Sequence, residues 1–525
     1  MGIDATEAVR LTVQGRLDAA KTLAERNKLG QFATPTDLAT DVLTCARTMM
    51  PRGVPVRFLD PAVGTGSFYS ALLRVFPADE IEDAVGFEID SDVVREARQI
   101  WRSSPLRIKH GDFTQAPPPF AESKKANLLI CNPPYVRHHH LSQGDKARLR
   151  GTAKLLSGVS PGGLTGLYGY FLCLSNAWVA RDGLAGWLIP SEFMDVNYGR
   201  QIKTFLLDRV TLLRIHRFEP EDIQFKEALV SSAVVWFRNT PSPTGHTVEF
   251  TCGGTLMTPG VTNHIPVDDL RGAAKWTRLS QPSGKRPARE GFKLADLFTV
   301  KRGLATGANE FFILSPGQVT EHEISDEFLT PILPSSRYLP EDEIAADEAG
   351  EPILERKLYL LTCNLPEHNV KARYPSLWRY LESGKAARVH ERYLCKHRSP
   401  WYAQENRPHA PILCTYMGRR NSSRGKPFRF ILNYSKATAA NVFLMLYPTP
   451  FLQARLKSKP DLLRRIWRQL DRLSASDLTS EGRVYGGGLH KLEPKELGNL
   501  VLCDIDELKE GREVRLQGEF ALEAN

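Results

Sequence analysis

The chain has 525 residues, of which 42% are hydrophobic and 25% charged, and a formal net charge of +9. This is the composition of an ordinary soluble globular protein, long enough for two or three domains each with its own core. No apolar run approaches a membrane span and the charged N-terminus is no secretory signal. Eight cysteines are scattered without a CxxC pair or His/Cys ligand spacing, most of them in apolar stretches, which gives the expectation of reduced, structural thiols in a cytoplasmic protein.

The opening MGIDATEAVRLTVQGRLDAAKTLAERNK is charged and helical in pattern. From residue 54 to about 237, short apolar runs alternate with helical patterns. VRFLD (56–60) is expected as a strand, SFYSALLRVF (67–76) as a helix, and AVGFEID (84–90) as a strand followed by the helical SDVVREARQIW. LRIKHGDF and NLLICN give two more strands and YGYFLCLSNAWVA a long helix. LAGWLIP, another helical stretch, and the strands LLRIHRF and SSAVVWF follow. Strands alternating with helices call for an α/β fold, a mostly parallel sheet with helices on both faces, whose ligands bind beyond the carboxyl ends of the strands.

Residues 239–290 lose this pattern. NTPSPTGHT and SQPSGKRPAREG are rich in Pro, Gly, Ser and charge and read as connecting segments, with room for a short strand pair. Beyond about 291 the chain is mixed, basic and irregular. The expected division is therefore 1–240, a linker over 241–290, and 291–525. Within the last part, residues 391–430 carry nine Lys or Arg against Glu391 and Glu405, with Tyr393, Trp401, Tyr402 and Tyr416 interleaved. Such a stretch is either a solvated basic face or a surface for a phosphate backbone.

Two constellations carry chemistry. In FLDPAVGTGSF (58–68) a strand runs through a loop with Gly64 and Gly66 into a helix N-terminus, where glycines admit a ligand close to the backbone and free N–H groups await it. Asp60 at the strand end can accept from an ammonium group. Glu88 ends the next strand, placed to hold a ribose diol, and Asp112 ends another, placed to accept from an adenine amino group while Phe113 packs on the ring. Without a Walker lysine or the third glycine of the dinucleotide fingerprint, a nucleoside lacking a pyrophosphate fits best, and S-adenosylmethionine has the required parts.

The second constellation is Asn132-Pro133-Pro134-Tyr135. An exocyclic amino group is a poor nucleophile because its lone pair is delocalised. Two fixed acceptors, the Asn132 side-chain oxygen and the Pro133 carbonyl, can bind its hydrogens and favour the pyramidal form, and the stiff Pro-Pro corner holds both without reorganisation. Tyr135 offers a flat face for a planar substrate. The following RHHH invites a zinc reading, but three successive residues diverge and no carboxylate or cysteine stands at ligand spacing, so no metal is expected.

GQFATPTDLA (30–39), DPAVGTGSF (60–68), GFEID (86–90), GDF (111–113) and NPPY (132–135) occur in that order ahead of a basic C-terminal part. Together they resemble the TaqI-type amino-methylating DNA adenine methyltransferases of type II restriction–modification systems, the gamma arrangement. The resemblance implies a Rossmann-like S-adenosylmethionine-dependent methyltransferase sheet and a mixed α+β target-recognition domain, in which FTVKRGLATGANEFFIL and RVYGGGLHKLEP look like family segments. It implies cofactor contacts at Thr34, Pro35, Asp60, Ala62, Gly64, Gly66, Glu88, Ile89, Asp112, Phe113 and Asn132. It implies catalytic roles for Asn132, Pro133 and Tyr135, and for Phe225 as the second aromatic on a flipped base, although Phe225 also reads as an ordinary core residue.

The expected activity is site-specific transfer of a methyl group to adenine N6 in duplex DNA, by a monomer whose cognate restriction endonuclease is a separate protein. Arg137, Lys146 and Arg148 are expected on phosphates near the elbow, and Arg398, Arg419, Arg420 and Arg429 on the recognition surface. Three readings compete: the same chemistry on cytosine N4, the same chemistry on an RNA base or a protein glutamine, and a catalytically silent DNA-binding protein on this scaffold.

Overall fold

The computed structural model describes residues 2–219, 224, 231–280, 291–419, 425–475, 477, 478, 482–485 and 489–503. It has two units, one of Met1–Lys285 with Tyr485–Gly488 and one of Arg286–Val484 with Leu489–Asn525.

The first unit opens with helices α1 (Ile3–Ala19), α2 (Leu23–Leu29) and α3 (Thr36–Met49). The alternating region then lays down strands β1 (Val56–Asp60), β2 (Ile81–Glu88), β3 (Leu106–His110), β4 (Ala126–Cys131), β5 (Val179–Pro190), β6 (Thr211–Arg217), β7 (Ser232–Arg238), β8 (Thr247–Gly254) and β9 (Pro259–Pro266). They form one nine-stranded sheet in the order β3-β2-β1-β4-β5-β7-β6-β8-β9. Pairings from β3 across to β5 are parallel, and β7 runs antiparallel to both its neighbours. The chain travels outward from β1 to β3, then returns to place β4 on the other side of β1. That reversal opens a crevice at the carboxyl ends of β1 and β4.

Helices cover both faces, as apolar strands buried on two sides require. Helix α3 joins α4 (Ser67–Val75) and α5 (Ser91–Ile100) on one face, through Leu38, Val42, Phe68, Tyr69, Val94 and Ala97. The other face carries α6 (Gln143–Ser157), α7 (Leu167–Ser175) and α8 (Arg200–Asp208), through Leu149, Tyr170, Ile202 and Phe205. Local chemistry sets the helix ends. The Asp90 carboxylate accepts from the Asp92 and Val93 N–H groups at the start of α5, and Ser142 caps α6, which stops at Gly158 with φ +73°.

Two expectations are corrected. The long helix over 168–180 ends at Ser175, because Val179 and Ala180 already belong to β5 beside β4. The stretch 241–290 is not all linker: β8 and β9 form an antiparallel hairpin that extends the sheet beyond β6, with Val248, Phe250 and Cys252 buried. Its Pro- and Gly-rich flanks are what disguised it.

The second unit is mixed α+β. Strands Phe298–Arg302, Phe443–Pro448, Ile412–Thr415, Phe430–Asn433 and Glu343–Ile344 lie side by side in that order, joined by smaller sheets and by helices such as Pro375–Ala386 and Leu462–Arg472. All eight cysteines are unpaired, seven of them buried and Cys503 partly exposed. Among the described residues no helix is long and apolar enough to cross a membrane.

Helix α1 docks in an unusual way, since its only buried residues are Glu7 and Arg10. The Arg10 guanidinium forks onto Glu7 at 2.6 and 2.7 Å and donates to Thr65 (3.2 Å), Ser67 (2.9 Å) and Thr36 (3.3 Å). One side chain thus joins α1, the glycine loop and α3. Burial by itself would raise the Glu7 carboxyl; the hydrogen bonds from Arg10 and Thr36 and the Arg10 charge outweigh it and bring Glu7 down to about 2. Removing one partner of a buried pair strands the other, so Arg10→Ala should cost ~3–5 kcal/mol in denaturant unfolding at neutral pH. A carboxyl depressed on folding stabilises above its unfolded value and loses that contribution as pH falls toward its folded value. The wild-type advantage over Arg10→Ala should therefore shrink between about pH 4.5 and about pH 2, which paired unfolding curves across that range would show.

Candidate functional site

Four strand ends meet on one cavity of about 340 Å³, lined among others by Asp60, Ala62, Gly64, Glu88, Ile89, Asp112, Phe113 and Asn132. Residues from the ends of β1, β2, β3 and β4, widely separated in sequence, are gathered by the parallel sheet.

Asp60 ends β1 and is 1% exposed, with its carboxylate accepting from the Ala62 N–H at 3.0 Å. Burial, aided by the Glu88 charge, pushes its carboxyl up to about 7. Glu88 ends β2 and gathers three backbone donors: Gly64 N–H at 3.1 Å on one oxygen, Ile89 and Asp90 N–H at 2.9 Å on the other. Burial still holds it above the usual carboxylate range. Ile89 leaves an apolar side chain 64% exposed at the cavity wall. Asp112 accepts from the Thr114 N–H at 2.8 Å and from Gln115 at 2.9 Å, which fixes the turn after β3. Phe113 is buried against Phe87, Phe171 and Trp178 and forms the floor of the cavity at that end.

The two glycines of the loop serve different ends. Gly64, at φ +54°, has open space where a side chain would stand. Gly66, at φ +94°, does not border the cavity: a Cβ there would lie 2.4 Å from Trp101 Nε1, which donates to Thr65 O at 2.9 Å. On that side Gly66 packs beneath the loop. Pro35 is likewise off the cavity, preceding α3, while Thr34 lines it.

At the end of β4 the Asn132 amide nitrogen donates to Phe32 O at 3.0 Å and to Thr34 Oγ1 at 3.2 Å. A carbonyl oxygen only accepts, so this fixes which way the amide faces. The other end, Asn132 Oδ1, is buried and has no hydrogen-bond partner. Buried acceptors are normally satisfied, and an orphan at a cavity wall asks for a donor from a ligand. Pro133 is buried beside it. Tyr135 donates its N–H to Gly30 O at 3.3 Å and its hydroxyl to Leu188 O at 3.1 Å, and is 8% exposed. Its ring therefore belongs to the core under the elbow in this conformation, rather than offering an open face. Phe225 lies outside the described residues.

The surface expectations divide. Arg137 is exposed and Lys146 partly so. Arg148 instead borders the cavity, donating to Thr114 at 3.2 Å with Asp112 at 3.6 Å. In the second unit Arg398 donates to Thr306 O and Ala305 O, both at 2.7 Å, and Arg429 pairs with Asp342 at 2.6 Å and donates to Ser336 O at 2.6 Å. In the unbound chain both brace segments of that unit. Arg419 is exposed on the strand Met417–Arg419, and Arg420 lies outside the described residues.

Sequence reasoning missed the wall supplied by α1 and α2. Gln14, Leu17, Asp18, Lys21 and Arg26 all border the cavity. Lys21 bonds Gln31 at 2.8 Å and pairs with Asp90; burial would raise Asp90, but the Lys21 and Gln31 hydrogen bonds hold it below the usual carboxylate range. The signal was present in α1, a long helix without an apolar stripe, which can dock only through polar groups. Behind this wall Gly30, at φ +66°, touches the elbow: a Cβ would stand 2.4 Å from Tyr135 N. Gly30→Ala combines a left-handed backbone with a collision against backbone atoms. It should cost ~2–4 kcal/mol of stability, or displace the elbow, as read by thermal unfolding and by ligand binding.

Two family models match the chain: residues 78–224 match the Eco57I restriction-modification methylase, and residues 286–520 the C-terminal domain of the type II methyltransferase M.Eco57I. The type II methyltransferase M.XamI of Xanthomonas campestris pv. amaranthicola is 28% identical over 495 residues, covering 92% of this chain and 86% of that protein. M.AccI of Acinetobacter calcoaceticus is 25% identical over 501 residues, covering 92% and 87%. In fold, the chain is similar to DrdV in a DNA complex (TM-score 0.51, 13% identity, 91% of this chain) and to the type IIL restriction-modification enzyme MmeI in complex with DNA (0.50, 13%, 80%). It spans 55% and 60% of those two chains.

Proposed function

Because the chain belongs to the type II DNA methyltransferases of restriction–modification systems, we propose that it methylates the exocyclic N6 of an adenine turned out of duplex DNA. The observation that carries this reading is the orphaned, buried Oδ1 of Asn132 beside a cavity walled by Asp60 and Glu88. The cavity suits S-adenosylmethionine: an acid for its ammonium, an acid for its ribose, and apolar Ile89 and Phe113 for its adenine. When bound, it supplies an electron-poor methyl group on a sulfonium.

The residues then act as follows. Asn132 Oδ1 accepts one hydrogen of the target amino group and the Pro133 carbonyl the other, which draws the nitrogen toward a pyramidal shape and frees its lone pair. Because Phe32 O and Thr34 Oγ1 hold the amide nitrogen, the orientation of the amide is set before the base arrives, and the buried Oδ1 has only to be uncovered. No strong base is required, since the alkylated amine loses its proton readily to water. A base inside a duplex cannot reach this strand end, so it must leave the stack. Asparagine at the first elbow position favours adenine over cytosine, whose methyltransferases more often place Ser or Asp there.

The second unit is read as the part that selects the DNA sequence, with Arg419, Arg137 and Lys146 as candidate phosphate or base contacts. The protein would act as a monomer, with its cognate restriction endonuclease a separate protein. Expression in a host free of DNA methylation, followed by sequencing that detects modified bases, tests the whole reading. N6-methyladenine within one motif supports it, whereas N4-methylcytosine in that motif, or unmodified DNA, overturns it.

Two variants test the chemistry. Asn132→Ala should lower turnover by about 100-fold or more, the scale for removing one preorganised polar partner, while cofactor binding survives. Asp60 must be ionised to hold an ammonium group, yet stands at about 7 in the free protein. Cofactor affinity should therefore rise with pH toward about 7, falling by up to about tenfold per unit below, and decline again above about 8 as the ligand's own α-ammonium loses its proton. Calorimetry from pH 5.5 to 8.5 would show the rise, and Asp60→Asn should flatten it.

A further inference from the structure

S-adenosylmethionine ends in an amino acid, and its carboxylate needs a cation. The cavity wall is mainly acidic, with Asp18, Asp60, Glu88 and Asp112 on it, so an anion entering there is repelled unless a positive group meets it. Three cationic side chains border the cavity among the described residues: Lys21, Arg26 and Arg148. Lys21 is engaged with Gln31 and Asp90 next to the β2 end, and Arg148 with Thr114 and Asp112 next to the β3 end. Arg26 belongs to the other end. There it pairs with Asp18 at 3.9 Å, Asp18 accepts from Gln14 at 2.9 Å, and Gln14 accepts from Thr65 of the glycine loop at 2.7 Å.

The helix that carries Arg26 is built to present it. Of the seven residues of α2, the other six are exposed, whereas the Arg26 side chain is only 12% exposed and turned to the cavity. A capping box at Thr22 and Glu25 starts the helix and Gly30, in the left-handed region, ends it, so α2 holds its shape without burying an apolar residue. We propose that Arg26 is the receptor for the carboxylate of the cofactor's amino-acid end. The assignment rests on the S-adenosylmethionine reading given above. A guanidinium matches a carboxylate with two parallel hydrogen bonds, a geometry that lysine cannot copy.

The test compares two ligands that differ only in this group, S-adenosylmethionine and its decarboxylated form, by calorimetry on the wild-type protein, Arg26→Gln and Arg26→Lys. Arg26→Gln should bind S-adenosylmethionine about 10- to 100-fold more weakly, the range for a lost charged hydrogen bond, and bind the decarboxylated compound as wild type does. Arg26→Lys should recover part of the loss. Amide exchange of residues 22–30 should slow on adding S-adenosylmethionine to wild type and not to Arg26→Gln. Equal weakening of both ligands would make Arg26 a mere brace for α2, and unchanged affinities would remove it from the site; either overturns the proposal. A wild-type protein that binds neither ligand would instead fail the cofactor reading itself, which these arms tell apart.

Discussion

A buried charge pair, not an apolar stripe, fastens the N-terminal helix to the glycine loop and to α3. Arg10 reaches Glu7 on its own helix, Thr65 and Ser67 on the glycine loop and Thr36 at the start of α3. Those attachments set where α1 stands, and α1 with α2 forms one wall of the cavity. Buried ion pairs are poor sources of net stability compared with hydrophobic packing, but they demand one geometry. Here that geometry is the spacing between a helix and a loop that must jointly enclose a ligand.

The same logic governs the opposite wall. Asn132 has its amide nitrogen committed to Phe32 O and Thr34 Oγ1, and the chain that supplies those acceptors is pinned through Gly30 to the backbone of Tyr135. The strand end, the segment 30–34 and the elbow hold one another. An unsatisfied oxygen and a carboxyl lifted to about 7 both cost stability in the free protein. Costs of that kind are tolerated where a ligand is to offset them.

What was legible in the sequence was what local pattern controls. Asp60, Glu88, Asp112 and Asn132 were readable because each ends an apolar run, and a parallel sheet puts such ends together. The α1–α2 wall was opaque because its contacts are polar and long-range: Gln14 meeting Thr65, or Lys21 meeting Asp90, leaves no periodicity. Counting charge over 391–430 is ambiguous for a related reason. Composition cannot tell an arginine facing solvent from Arg398 or Arg429, each turned onto carbonyls of its own unit. Gly66 shows the same ambiguity at one residue, since a glycine needed for an indole and one needed for a ligand are spelled alike.

The placement of the cysteines has a practical side. Cys131 precedes Asn132 and lies fully buried, where burial and the nearby Asp60 charge push its thiol well above the usual range. Cys45, Cys173, Cys252, Cys363, Cys395 and Cys414 are buried too, and burial lifts each of them. Only the thiolate reacts with alkylating reagents, so Cys503 is the one position within their reach. A fluorophore or spin label can therefore be attached at Cys503 without first replacing the other seven cysteines.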